Sequence, residues 1–141
     1  MAEESTGLSV GFGQAAIGSE VCFDSLLITQ ELADRRWLAA LATHGNGLCR
    51  DQEVRANMGV GIVRTTHLDR WAIGFGGAVF HHGDRGVGPL EGGDRPEVSA
   101  YIHLRRYLLS ERLVLDLAHW STGGAAEQNS GRNMVAIGIR L

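Results

Sequence analysis

Lysine is missing from the chain: all 13 basic residues are arginine, set against 16 acidic ones for a net charge of −3. No basic cluster exceeds a pair, so the sequence offers no electrostatic footprint for nucleic acid. Proline is scarce, at two residues in 141. Long hydrophobic runs are missing as well. The longest stretch free of charge or strong polarity, Trp71–Phe80, is about half a membrane-spanning helix, which excludes a helical membrane protein. A membrane strand needs only about 9–11 residues, so the membrane itself stays open. Cysteine is limited to Cys22 and Cys49, too far apart for a zinc or redox pair motif. Two thiols and a single disulfide are both compatible with that spacing. No secretory signal opens the chain, because Met1-Ala2-Glu3-Glu4-Ser5-Thr6 is acidic and polar. Such a start fits a cytoplasmic protein or a mature chain with a replacement methionine.

Glycine is abundant, at 20 residues, roughly twice ordinary usage. Hydrophobic residues make up 44%, enough to bury a core, and the length suits one domain over 1–141 with a polar segment at 1–6. Period-two alternation dominates. Leu113, Leu115, Leu117, His119 and Ser121 share one parity; Val114, Asp116, Ala118 and Trp120 take the other. Val98, Ala100, Ile102 and Leu104 alternate with Ser99, Tyr101, His103 and Arg105. Similar stripes run over Val54–Val63, Trp71–Val79 and Val135–Leu141, and weaker ones over Leu8–Ile17, Val21–Glu31 and Arg36–Thr43. The expectation is eight strands. Short turns fall near Leu32–Arg35, Thr65–Asp69 and Leu108–Glu111, and longer glycine-rich loops at His44–Gln52, His82–Arg95 and Thr122–Gly131. The connection near Gly18–Glu20 is short and breaks that pattern.

One face of these stripes is continuous leucine, valine and isoleucine. The other mixes Arg55, Asn57, His103, Arg105 and Asp116 with glycine. Polar groups among glycines suit a narrow lumen in which charges pair, leaving the apolar face to lipid. The fold expected is therefore all-β, an eight-stranded antiparallel up-and-down outer-membrane β-barrel. A helical reading of Glu31–His44 and His103–Trp120, both rich in Ala, Leu, Glu and Arg, supports an α+β soluble domain as the alternative.

One stretch suggests catalysis: Ala118-His119-Trp120-Ser121-Thr122-Gly123-Gly124, followed by Asn129-Ser130-Gly131-Arg132-Asn133. Residues two apart on a strand point the same way, so His119 and Ser121 are neighbours where the leucine stripe ends. An imidazole beside a hydroxyl can take its proton and make it a nucleophile. Such a pair is more often structural. Its position on a lipid-facing stripe, where polar groups are costly, favours a use.

The stretch from His119 to Leu141 resembles the C-terminal end of the outer-membrane lipid A 3-O-deacylase family, on His119, Ser121, Gly124, Asn129 and Gly131. The resemblance implies an eight-stranded barrel with a His-x-Ser pair on its seventh strand, facing the outer leaflet. It also implies that Ser121 is the nucleophile, His119 the general base, and the backbone amides of Thr122 and Gly124 the oxyanion donors. The family places a glutamate where this chain has Asn133, and commonly an asparagine where it has Thr122. Asn133 shares parity with Val135 and Ile137, so it can orient the imidazole; Glu127 is a second candidate for the acid. The implied substrate is lipid A of lipopolysaccharide, cleaved at its 3-position ester, with outer-membrane lipid as surroundings and neither cofactor nor metal. Oligomeric state, monomer or homodimer, is left open. A non-enzymatic outer-membrane barrel and a soluble binding protein are the alternatives.

Other residues carry less. His81 and His82 are adjacent and would face opposite sides of a strand, which argues against a shared metal. Gly83-Asp84-Arg85-Gly86-Val87-Gly88 lacks the strand-then-helix context of a phosphate loop. His103, Arg105 and Asp116 read as a lumen charge network. Trp37 and Trp71 begin apolar stripes, as interfacial or packing aromatics.

Overall fold

The computed structural model describes residues 6–17, 20–45, 47–49, 52–54, 57–82, 97–121 and 132–141. Among them are ten strands and no helix: β1 (Leu8–Ile17), β2 (Glu20–Leu32), β3 (Trp37–His44), β4 (Gly47–Cys49), β5 (Gln52–Val54), β6 (Asn57–Leu68), β7 (Trp71–His82), β8 (Glu97–Leu108), β9 (Leu113–Ser121) and β10 (Arg132–Arg140). Eight of them close an antiparallel barrel in the order β1-β10-β9-β8-β7-β6-β3-β2, while β4 and β5 form a separate hairpin. The protein is thus an all-β, up-and-down eight-stranded barrel. The helical alternative fails because Glu31–His44 and His103–Trp120 each lie across two strands and a turn. β8 and β9 pair without a break from Leu108↔Leu113 to Ala100↔Ser121, and that ladder overrides local helix propensity.

Two boundaries differ from the sequence expectation. Val54 belongs to β5 rather than to the fourth barrel strand, which begins at Asn57. That strand also continues through Thr65–Leu68, which pair with Gly74, Ile73, Ala72 and Trp71. The Thr65 amide and hydroxyl donate to the Arg36 and Arg35 carbonyls at 2.8 and 2.5 Å, so the strand's end is tied to the neighbouring turn. Arg55 and the side chain of Asn57 lie outside the described residues.

Alternation decides what faces where. Phe12, Val60, Ile62, Phe75, Val98, Ile137 and Ile139 stand exposed on the outer surface, whereas Ser9, Ser25, Thr29, His44, Ser99, His103, Arg105 and Asp116 are buried inside. An eight-stranded barrel has room inside for side chains and little else. Glycine makes that room: a Cβ at Gly59 would overlap the Phe80 ring, and one at Gly61 would stand 2.8 Å from Tyr101. At Gly13 and Gly76 the crowding is with backbone, since a Cβ would overlap the carbonyl oxygens of Val135 and Ile62.

The lumen is held by a polar network crossing four strands. Arg105 donates through Nε to Asp116 Oδ1 at 2.7 Å, through Nη2 to Asp116 Oδ2 at 3.0 Å, and to Thr29 Oγ1 at 2.6 Å. His103 Nε2 meets the same carboxylate at 2.7 Å, and its Nδ1 pairs with the Tyr101 hydroxyl at 2.5 Å. Nearer the short turns, Glu31 accepts from Tyr107 at 2.7 Å and from Arg140 at 2.7 Å. Of the lumen charges read from the sequence, His103, Arg105 and Asp116 are therefore paired, as burial demands. Towards the long loops aromatic rings fill the space: Trp120 stacks on Tyr101 with centroids 5.3 Å apart and meets Phe80 edge-on at 5.3 Å.

Short turns and chain termini share one end of the barrel. Thr6 N–H donates to the Leu141 carbonyl at 3.0 Å. Ala33–Arg35 and Leu109–Glu111 each run three residues with positive φ, between 46° and 67°. At the other end, Cys22 is disulfide-bonded; the chain's other cysteine, Cys49, ends β4, which packs beside β2.

Candidate active site

β9 carries the two residues that the sequence singled out. Its inward side chains, Val114, Asp116, Ala118 and Trp120, are buried, and its outward ones, Leu115 and Leu117, are exposed. His119 and Ser121 continue the outward set, both half-buried, at the end of the strand nearest the long loops. The outer surface here is apolar: Ile102 lies directly across from His119 on β8, Ala100 across from Ser121, and Val135 follows Asn133 outward on β10. The polar residues thus sit at the margin of an exposed apolar wall.

Asn133 is the partner that the register supplies. It pairs directly with His119 across β9 and β10, and its Oδ1 lies 2.7 Å from His119 Nδ1. An amide oxygen only accepts a hydrogen bond, so this contact requires the proton on Nδ1 and leaves Nε2 as the basic nitrogen. A general base next to a serine needs that tautomer. What the amide does not supply is negative charge: an acid at this place would also stabilise the imidazolium formed when the ring takes a proton.

Of the five residues expected to form the site, the structure brings His119, Ser121 and Asn133 onto one outward face across two strands. Thr122 and Gly124, the expected oxyanion donors, lie outside the described residues, as does Glu127. His81 and His82 end β7, and their side chains are not described. Among the described residues no group of three or more His, Cys, Asp or Glu is placed to hold a metal.

A serine–histidine contact elsewhere escaped the sequence reading. Ser25 on β2 and His44 on β3 are register partners, with Oγ 2.6 Å from Nδ1, both buried. Both point into the lumen, where the imidazole stacks on Phe80 at 6.0 Å. Shared inward parity was legible, but the register between the two strands was not. Enclosed by rings, this pair packs the barrel interior, whereas the His119 pair opens onto the outer wall.

Compared with known proteins, the chain matches no family model, no curated protein and no solved structure.

Proposed function

We propose that this protein is an outer-membrane barrel that hydrolyses an ester of lipid A, with Ser121 as nucleophile and His119 as its general base. The observation that carries the reading is the 2.7 Å contact between His119 Nδ1 and Asn133 Oδ1 on the outward face. It sets the ring's tautomer beside a serine at the rim of an apolar wall, where a lipid-anchored ester can arrive sideways. An exposed apolar exterior around a polar, charge-paired interior is the arrangement of an outer-membrane barrel and the inverse of a water-soluble one.

In the reaction, Ser121 Oγ attacks the ester carbonyl carbon as its proton passes to His119 Nε2. The tetrahedral oxyanion collapses, the C–O bond to the sugar breaks, and the imidazolium returns the proton to the departing sugar oxygen. Water then attacks the acyl-serine with His119 again as base, releasing a fatty acid and restoring Ser121. Backbone amides at Thr122 and Gly124 would receive the oxyanion. The resemblance points to the 3-position ester, with a 3-hydroxy fatty acid as product.

Mass spectrometry of lipid A incubated with detergent-refolded protein tests this. Loss of one hydroxyacyl chain with the parent, and none with Ser121→Ala, is the expected result; an unchanged lipid with both overturns the hydrolase. A non-enzymatic barrel is the second reading, favoured by the neutral amide at Asn133.

A further inference from the structure

Trp37 opens β3 and Trp71 opens β7, each as the chain leaves a short turn. Each lies directly across from an arginine on the next barrel strand, Trp37↔Arg64 and Trp71↔Arg106. The guanidinium carbons stand 5.7 and 4.9 Å from the ring centres, within cation–π reach. By strand parity all four side chains belong to the outward set, with Ile62 and Leu104 as the next outward residues of the arginine strands. Two other arginines at this end are committed: Arg35 and Arg140 both pair with Glu31 and Glu111. Arg64 and Arg106 have no ion pair among the described residues, and the aromatic ring is their recorded partner.

We infer that the two Trp–Arg pairs form a binding surface for the phosphodiester headgroups of anionic glycerophospholipids. The inference rests on the proposed membrane location and is independent of the hydrolase chemistry. A guanidinium held over a ring presents its N–H edges away from it, and that planar fork matches a phosphate's oxygens. Tryptophan settles at headgroup depth, which puts the fork at the level of the phosphates. The charge is also complementary. Exposed Arg36 and Arg70 adjoin the two tryptophans in sequence, while the acids Glu31 and Glu111 of this end are taken up by Arg35 and Arg140. A second copy of the chain would bring more arginine to this face and no unpaired carboxylate to meet it, apart from Asp34 and Asp69 in the turns.

The tryptophans are their own probe. The chain has three, and Trp120 is buried in the lumen at 3% exposure, so quenching by brominated lipid chains reads Trp37 and Trp71. The protein is refolded into phosphatidylcholine vesicles containing a minority of phosphatidylglycerol, with bromine either on the phosphatidylglycerol or on an equal amount of phosphatidylcholine. Brominated phosphatidylglycerol should quench as if enriched about fivefold per guanidinium, the ratio that about 1 kcal/mol at a membrane surface represents. Arg64→Gln with Arg106→Gln should make the two lipids equal while leaving quenching in wholly brominated phosphatidylcholine unchanged. Equal quenching by both lipids in the parent overturns the headgroup site. No quenching even in wholly brominated phosphatidylcholine means that the wall is not in lipid, and the membrane reading itself fails. Loss of the preference on adding inorganic phosphate, but not chloride of the same ionic strength, would assign the arginines to a free anion and overturn the lipid source.

Discussion

In the proposed reaction Asn133 would hold the imidazole of His119 in the orientation a general base needs but brings no charge, which separates two roles usually fused in one carboxylate. Asn133→Asp keeps the shape and converts a neutral hydrogen bond into a charge-assisted one, a gain of about 1–2 kcal/mol. Lipid hydrolysis should therefore rise by roughly tenfold. Asn133→Ala, which frees the ring to turn, should lower it. Time courses of fatty-acid release from the three proteins check both directions, and a slower Asp variant would show that the amide is not acting as an orienter. Parity alone put His119, Ser121 and Asn133 on one face, so this much was readable in the sequence. The 2.7 Å contact was not, because it depends on which residue of β10 lies opposite position 119.

Strands and turns explain the rest of what could and could not be read. Long alternating stripes such as Leu113–Ser121 declare themselves because each apolar residue repeats the choice of side. The three-residue strands of the β4–β5 hairpin contain too few positions to show a period. Turn conformation was hidden for another reason: Ala33–Arg35 and Leu109–Glu111 adopt left-handed backbone without a glycine or asparagine. Each such residue costs roughly 1–2 kcal/mol in L-amino acids. Ser110, at φ 54° and exposed, has no hydrogen bond through its side chain among those described. Ser110→Gly should raise stability by about 0.5–1 kcal/mol after the entropy of a freer unfolded chain is subtracted. Denaturant midpoints of the refolded protein measure that, and an unchanged or lower midpoint would remove the strain from the account.

For the molecule as a whole, the lumen network and the close strand contacts act together. Asp116 is the carboxylate shared by Arg105 and His103, and Arg105 is 1% exposed. Removing it by Asp116→Ala takes away the buried guanidinium's closest carboxylate and leaves it only the longer 3.5 Å contact with Glu31, at a cost of about 3 kcal/mol. The temperature at which the folded band disappears on a heat-modifiability gel should fall markedly, and an unshifted band would mean that the network contributes no stability. Helix propensity in His103–Trp120 misleads at this scale, since a closed ladder satisfies every neighbouring strand at once while a helix there would leave β7 and β10 with open edges.

Closure joins β1 to β10 through nine residue pairs, from Ser9↔Arg140 to Ile17↔Arg132. The first strand therefore waits for the last, and until residues 132–140 have been made the growing sheet has two raw edges and an apolar face with nothing to cover it. Contacts this distant along the chain form slowly, and an unfinished sheet is a template for pairing with other chains. The barrel closes only once residues 132–140 have been made, and until then the chain must be kept apart from its copies.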